Sequence, residues 1–579
     1  MTSAVPTQRD LQTVHIAANT WVLRSRSFSR LKFEVEYALQ RGTTSNAYLI
    51  QGGQRTVLIT PPGEAFTENF LSELERLIPL TEITDVIVGH VNPNRFFTLL
   101  KLLERAPQIQ IICSNPGSVL LKGLFDAETN SPPMPEMLVM RGQEVLKLGS
   151  GHRLQFIPAP TPRWPGGLCV YDDKTKILFS DKFFGVHVCG DAVFDESGAS
   201  HTLDERHYYD CLMASQARQV ETVLDRFEEW PAQTYAPVHG PLLRLGGLDR
   251  FDHYREWNRQ QLNQTLSVAL LYASAYGSTA TLSQAIERGI TKAGVAVEAI
   301  NCEVATSEEI REALGRSAGF IIGSPTLGGH APTPIQTALG IILATADKGQ
   351  LAGVFGSFGW SGEAIDLLVE KLQNGGYTFG FQPIRVKFKP TEATLQECVE
   401  AGTDFAQALK KQRKPKQAIR QDATPLELAV GRIVGSLSVV TVRHDDVSSA
   451  MLASWISQAS FNPPGLTVAV AKDRAIESLL YPNSTFVLNL LEEGKHIPLM
   501  KQFLKPFAPG EDRFGETETK TAKNGSPILQ DALAYLECKV VNRMDCGDHW
   551  LIYCSADAGN VFNPGGRTAV HFRQTGTHY

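Results

Sequence analysis

Within the stretch 274–279 (SAYGST), three hydroxyls, those of Ser274, Ser278 and Thr279, stand around Gly277 and beside Tyr276. The apolar run 266–272 before it reads as a buried parallel strand, and 281–293 after it carries apolar positions at helical spacing. A hydroxyl-rich loop between strand and helix is suited to an anion, because its N–H groups and hydroxyls converge on a phosphate at the helix N-terminus. Alone, such a loop is ordinary turn material. Two further loops at βαβ spacing make it more. The strand candidate 320–322 runs into GSPTLGGHAPTP, with Pro325, Thr326, Leu327 and Gly328. The strand candidate 354–355 runs into GSFGWSGEA, with Ser357, Gly359, Trp360, Ser361 and Gly362. Open α/β sheets bind ligands at the carboxyl ends of their strands, and Tyr276 and Trp360 offer faces for a flat ring. With no Walker lysine and no GxGxxG, the ligand class is a mononucleotide such as FMN.

These loops resemble flavodoxin, and in wording they are similar to the flavodoxin module of the flavodiiron proteins. Strand candidates at 266–272, 296–301, 318–323, 351–356 and 383–388 suit a five-stranded, doubly wound parallel sheet spanning 263–409.

Before it, residues 1–262 alternate short β-like runs, such as 48–50, 56–59 and 85–90, with helical stretches such as 67–78; a second β-rich half follows from 155. The strand ends resemble the metallo-β-lactamase-like αββα domain of flavodiiron proteins, in which two irons are held by H-x-E-x-D-H, a further His, an Asp and a last His. The resemblance places these ligands at His90, Asn92, Asn94, Arg95, Arg163, Lys182 (or the neighbouring Asp181) and His239. Two of the seven positions keep a ligating residue. Iron needs carboxylate and imidazole donors, while arginine has five donors and no acceptor. The expectation is therefore no family-type di-iron centre. If the cavity persists, Arg95, Arg163 and Lys182 need acceptors, from Asn92, Asn94 and Asp181 or from an anion such as chloride, sulfate or phosphate; otherwise they point to solvent. His152, His187, His201 and His207 read as surface or packed histidines.

After 409, a basic tether over 410–425 carries Lys410, Lys411, Arg413, Lys414, Lys416 and Arg420 and no acid up to Arg420. A solvated linker is the favoured reading, docking of an acidic electron carrier the lesser one. Residues 426–579 are rich in β signals at 433–442, 466–470, 484–490, 537–541 and 550–554, which suits a small antiparallel barrel. Between the first two lies AMLASWISQASFNPPG, read as a polar turn closed by Asn462-Pro463-Pro464. With Gly547-Asp548-His549 it resembles the NAD(P)H:flavin reductase family and its split β-barrel. That resemblance implies a second flavin, FMN or FAD, lined by Ser454, Trp455, Ser457, Gln458 and Ser460, with His549 as the catalytic candidate near the nicotinamide.

Bulk properties agree with an α/β multidomain protein. The 579 residues suit three to four domains. A formal net charge of −6 gives no sign of a nucleic-acid partner. Nine scattered cysteines without a CxxC read as free thiols of a reducing cytoplasm, and no apolar run reaches signal-peptide or membrane-span length. The order of modules resembles the three-domain flavodiiron proteins of oxygenic phototrophs. That resemblance implies electrons from NAD(P)H or reduced ferredoxin passing through flavins to iron, where oxygen is reduced to water, in head-to-tail dimers. With its ligands substituted, this chain would work beside an iron-bearing paralogue in a hetero-oligomer, or as a homodimer. Alternatives are a stand-alone NAD(P)H:flavin reductase or diaphorase, and a non-catalytic regulatory subunit. Metallo-β-lactamase-type hydrolysis needs a metal-bound hydroxide and is disfavoured.

Overall fold

The computed structural model describes residues 9–29, 31–33, 36–37, 41–128, 132–142, 144–195, 201–244, 247–413, 424–444, 446–505, 507–515, 517–573 and 575. Contacts divide the chain into two compact units, one of Met1–Thr265 with Glu298–Val304 and one of Leu266–Val297 with Ala305–Tyr579.

The first unit is built from two seven-stranded sheets. One runs in the order Arg9–Ala17, Thr20–Ser27, Thr43–Gln51, Thr56–Ile59, Asp85–Ile87, Gln110–Ser114, Met137–Met140. The other runs Val145–Gly149, His152–Pro158, Leu168–Asp172, Ile177–Asp181, Thr234–Pro237, Leu242–Leu243, Phe194–Asp195. The two-residue period of a strand sorts its side chains to opposite faces. In Thr43–Gln51, Tyr48 and Ile50 enter the core with Leu154, Phe156 and Phe179 of the other sheet. Ala47 and Leu49 face the core shared with the helices Thr67–Leu77 and Pro93–Arg105. A third core, rich in Phe and Tyr, lies under the helices Thr202–Leu212 and Ala217–Glu228. Both sheets are thus covered on both faces, giving the αββα layering.

Arg250, 1% exposed, lies between Asp195 at 2.7 Å and Glu205 at 2.6 Å. One guanidinium serves two carboxylates. Burial raises the Glu205 carboxyl to about 7 against the pull of Arg250, with Asp195 and Asp204 adding to the rise. The folded state therefore binds a proton that the unfolded state has already lost, and stability from this group falls as pH rises from about 4.5 towards 7. Glu205→Gln is expected to remove a slope of at most about 1.4 kcal/mol per pH unit in that window. Parallel urea-midpoint profiles for parent and variant between those pH values would contradict this.

The flavodoxin-like sheet is parallel wherever its register is defined, in the order Ala296–Asn301, Ser267–Tyr272, Gly319–Pro325, Leu351–Phe358. Its fifth position is filled in two pieces, Thr378–Phe379 and Ile384–Lys387, both parallel to Leu351–Phe358. The single strand expected at 383–388 is therefore shorter and ends before Phe388. The helices Ser278–Lys292 and Glu392–Arg413 pack backbone to backbone. A Cβ on Gly289 would meet Val399 O at 2.1 Å, and one on Gly402 would meet Ile286 O at 2.2 Å. The second helix runs past the expected boundary at 409, so Lys410 and Lys411 are helical, and Lys410 donates to Ala293 O. Lys414, Lys416 and Arg420 lie outside the described residues.

The C-terminal module is one antiparallel seven-stranded sheet: Val447–Ala453, Ser438–His444, Thr485–Leu490, Ala534–Asp545, His549–Val561, Pro464–Ala471, Ile456–Phe461. Its two outermost strands are consecutive in the chain, so one edge passes directly to the other through Ser454 and Trp455. That line is the split of the barrel. The stretch 450–465, expected as a turn, is mostly strand. Only 462–463 turn, because Ile456–Phe461 pairs antiparallel with Pro464–Ala471 as a hairpin. The run 433–442 is broken at Leu437, whose N–H donates to Ala569 O. Among the described residues no helix is long and apolar enough to cross a membrane, and all nine cysteines are free.

Candidate functional site

The three flavodoxin-like loops meet at the carboxyl end of the parallel sheet. Gly277 caps the helix Ser278–Lys292 with φ +83, a conformation glycine adopts without penalty. The helix starts at Ser278, three residues before the periodicity signal at 281. Ser274 Oγ accepts from Ala280 N at 3.1 Å, which folds the loop over the helix N-terminus. Thr279, 1% exposed, shares a 2.8 Å hydrogen bond with Ser357 Oγ, tying the first loop to the third. Ser357 O accepts from Thr326 N at 2.9 Å, tying the third to the second. Pro325 ends its buried strand, and Leu327 closes a turn on His330 through Gly328 and Gly329, both at positive φ with open space around them. Gly359, Trp360 and Ser361 lead to Gly362, which caps the helix Glu363–Asn374.

Two features fit a flat, phosphorylated ring system. Tyr276 and Trp360 are 81% and 92% exposed, far more than ordinary for aromatics in a rigid loop. Thr326 Oγ1 is buried without a hydrogen-bond partner among the described residues, a hydroxyl that asks for a ligand. Sequence reasoning missed Phe388. It leaves its strand with φ +60 and stands edge-on to Trp360 at 6.4 Å, giving that ring its support. Trp360→Ala is expected to weaken FMN retention roughly 10- to 100-fold, the range for losing one stacking face, measurable by fluorescence titration of the apoprotein.

In the C-terminal module, Trp455 and His549 come together, ring centroids 4.9 Å apart at 31°. His549 opens its strand and hydrogen-bonds Asp548 Oδ1 at 2.8 Å, so it is both the strand-end histidine and the neighbour of the candidate flavin stretch. Ser454 and Trp455 line a cavity of about 230 Å³ with Met451, Phe503 and His571. Ser457 and Gln458 instead face solvent on Ile456–Phe461, and Ser460 braces the hairpin by donating to Pro463 O. The expected set thus splits between cavity and outer face, because Ser454 and Trp455 lie in the crossing between the strands Val447–Ala453 and Ile456–Phe461, whereas Ser457, Gln458 and Ser460 lie on the edge strand itself.

The substituted position in the first unit is equally defined. His90 lies beyond the short strand Asp85–Ile87 and holds Asp181 at 2.9 Å through Nδ1. Its Nε2 is buried without a partner among the described residues. Asn92 caps the helix Pro93–Arg105, and Asn94 Oδ1 accepts from Glu64 N, so both amides serve backbone termini. Arg95 and Lys182 do not point to solvent: they are 8% and 4% exposed. Arg95 donates to Pro61 O and Arg163 to Cys211 O. His239 Nδ1 lies 2.7 Å from Thr44 O, which makes it the donor and leaves Nε2 to accept from Lys182 Nζ at 3.3 Å. Burial, reinforced by Lys182, pushes His187 down to about 3 and His239 well below its ordinary value. Burial likewise takes His90 to about 4, with Asp181 opposing. The imidazoles are neutral beside a buried ammonium. Trp164 is the residue sequence reasoning overlooked: Arg163 and Lys182 lie 5.3 and 5.4 Å from its ring, whose π face offsets part of their charge, and the neutral His90 packs edge-on at 6.0 Å. Of the four other histidines, His152 and His187 are buried and packed. Among the described residues no three His, Cys, Asp or Glu side chains are placed to hold a metal ion.

Family models match the chain in three places: an ODP family beta lactamase over 43–240, flavodoxin over 270–402 and a flavin reductase like domain over 430–577. The chain is 62% identical over 572 residues to "Putative diflavin flavoprotein A 6" of Nostoc sp., covering 99% of both. It is 59% identical to "Putative diflavin flavoprotein A 3" of Synechocystis sp., covering 99% of this chain and 96% of that one. The chain belongs to the three-domain flavodiiron, or A-type diflavin flavoprotein, family. A solved flavodiiron core, the metal-soaked Flv1 core from Synechocystis sp., matches with 58% identity and a TM-score of 0.67, covering 70% of this chain and 99% of that one. As a flavodiiron protein it is a flavin-dependent oxidoreductase, with a flavodoxin-type FMN site and a second flavin site in its reductase module.

Proposed function

We propose that this flavodiiron chain is a cytoplasmic oxidoreductase subunit that takes electrons from NAD(P)H, or another donor such as reduced ferredoxin, and delivers them towards reduction of oxygen to water together with an iron-bearing paralogue. The observation that carries the division of labour is the Lys182 ammonium at 3.3 Å from Nε2 of His239, a residue the family resemblance assigns to iron. A cation there repels metal and occupies the lone pair that would bind it. The remaining residues do not fit two irons either, since Asp181 is engaged by His90 and the substituted Asn, Arg and Lys positions are built into local structure. Their net charge favours an anion over a metal.

Bound flavins supply the exchange between a two-electron donor and one-electron acceptors. For this, the loop of Ser274–Thr279 and Thr326 would hold phosphate and ring edge, Tyr276 and Trp360 would cover the ring, and Ser454, Trp455 and His549 would form the second site. His549, held by Asp548, would contact the nicotinamide side in this reading. The test is flavin and iron content on one purified sample, followed by oxygen consumption with and without an iron-bearing paralogue. About two flavins per chain, negligible iron, and oxygen uptake that needs the paralogue are expected from these sites. Stoichiometric iron in the chain alone would end this reading.

A further inference from the structure

In the reductase module, Arg573 follows the short strand Val570–His571, which pairs with Gly435–Ser436. It is 9% exposed, and its Nη1 is buried without a hydrogen-bond partner among the described residues. Its guanidinium carbon stands 4.8 Å from the centroid of Trp455. Arginine stays charged in proteins, and a buried charge without acceptors is costly. The side chain therefore calls for an anion. Its surroundings are arranged for one. His571 Nδ1 and Ser454 Oγ lie 3.4 Å apart, and both residues line the cavity beside Trp455. The backbone of Gly435 runs so close to Ser454 that a Cβ would meet Ser454 O at 1.6 Å, which locks the segment onto the barrel's split. That cavity is lined by the carboxylates Glu400, Asp404 and Asp473 and by the cations Arg474, Lys505 and Arg513; Glu400 is paired with Arg513 at 3.0 Å and Asp473 accepts from Gln407 at 3.2 Å.

We propose that Arg573, with His571 and Ser454, recognises a phosphate group of the ligand bound at Trp455. This rests on the reading that the reductase module binds a flavin there. It adds a phosphate contact from the C-terminal segment to the flavin-lining residues expected from the sequence. The phosphate belongs either to the flavin or to the pyridine nucleotide, and the chemistry required of Arg573 is the same.

The experiment uses the full-length chain stripped of flavin, with Arg573→Met to remove the charge while keeping an unbranched stem against Trp455, and Arg573→Lys to keep the charge. FMN and riboflavin are titrated into each by fluorescence, and KM for NADH and NADPH is measured. With flavin phosphate as the ligand, Arg573→Met weakens one of two FMN sites by about 10- to 100-fold, the span of a charge-assisted hydrogen bond. Riboflavin affinity stays unchanged and Arg573→Lys retains most of the binding. With nucleotide phosphate as the ligand, FMN affinity holds and KM rises by a similar factor; either result supports the assignment. Equal loss of FMN and riboflavin in Arg573→Met would make Arg573 a packing residue and overturn it, as would unchanged affinity and KM. A parent chain that binds one flavin only, at the Trp360 loops, overturns the second-flavin reading and this proposal with it. Two flavins in the parent with no effect of Arg573→Met overturns the proposal alone.

Discussion

Glu477→Ala is expected to destabilise the second unit by about 3–5 kcal/mol, the range for removing one partner of a buried ion pair. Glu477 is 9% exposed and accepts from Arg543 Nη1 at 3.1 Å, with Lys292 Nζ at 3.9 Å. Lys292 belongs to the flavodoxin-like helix Ser278–Lys292, whereas Glu477 and Arg543 belong to the reductase module. Burial acts to raise the Glu477 carboxyl, but Arg543, Lys292 and Arg288 together hold it below its usual value. Burial lowers Lys292, with Glu477 the main opposing charge. Removing Glu477 leaves two cations facing each other out of water. Lys292→Met in the Glu477→Ala background is expected to recover part of the loss, because it deletes one orphaned charge. Urea unfolding of the four species gives the coupling directly. A single-variant cost under about 1 kcal/mol, the value of a screened surface pair, would show that water reaches these charges.

Phe184→Ala is expected to cost the first unit about 3–5 kcal/mol. Its ring is 1% exposed and lies 4.8 Å from Phe251, 5.2 Å from Tyr254, 5.4 Å from Tyr235 and 6.1 Å from Phe227. The truncation leaves a cavity among rigid rings that cannot collapse to fill it. Phe184 also has φ +62, which the packing must hold against its own preference. The same loop carries Asp181 and Lys182 before it and His187 after it, so the ring anchors the substituted metal position. Phe184→Gly separates the two contributions, relieving the backbone while leaving the cavity. Thermal unfolding should place it at or above Phe184→Ala. A far lower value would mean that chain entropy outweighs strain at this turn.

Much of the chemistry was legible in the residues. The FMN loops announced themselves because a phosphate site needs small and hydroxylated residues in sequence, between a strand and a helix whose periods differ. The expectation of substituted metal ligands came equally from atom types, since Asn offers only a neutral amide oxygen, and Arg and Lys only cations, in place of carboxylate and imidazole donors. Less was legible in the reductase stretch. Ser454, Trp455, Ser457, Gln458 and Ser460 read as one polar turn, yet the first two stand in the crossing at the barrel's split and the other three on the edge strand Ile456–Phe461, and nothing in their spacing marked 456–461 as a strand.

What the sequence determined by itself was the module order and a flavin as the ligand of the second and third modules, because these depend on atom types and local periodicity. What tertiary structure decided was which distant groups meet. Trp164 became the face against which Arg163 and Lys182 lie, Lys182 became the partner of His239, 57 residues away, and Arg573 came to rest on Trp455, more than a hundred positions earlier in the chain. Such pairings follow from sheet order and strand register, which are set by the burial of whole faces. No local pattern carries that information.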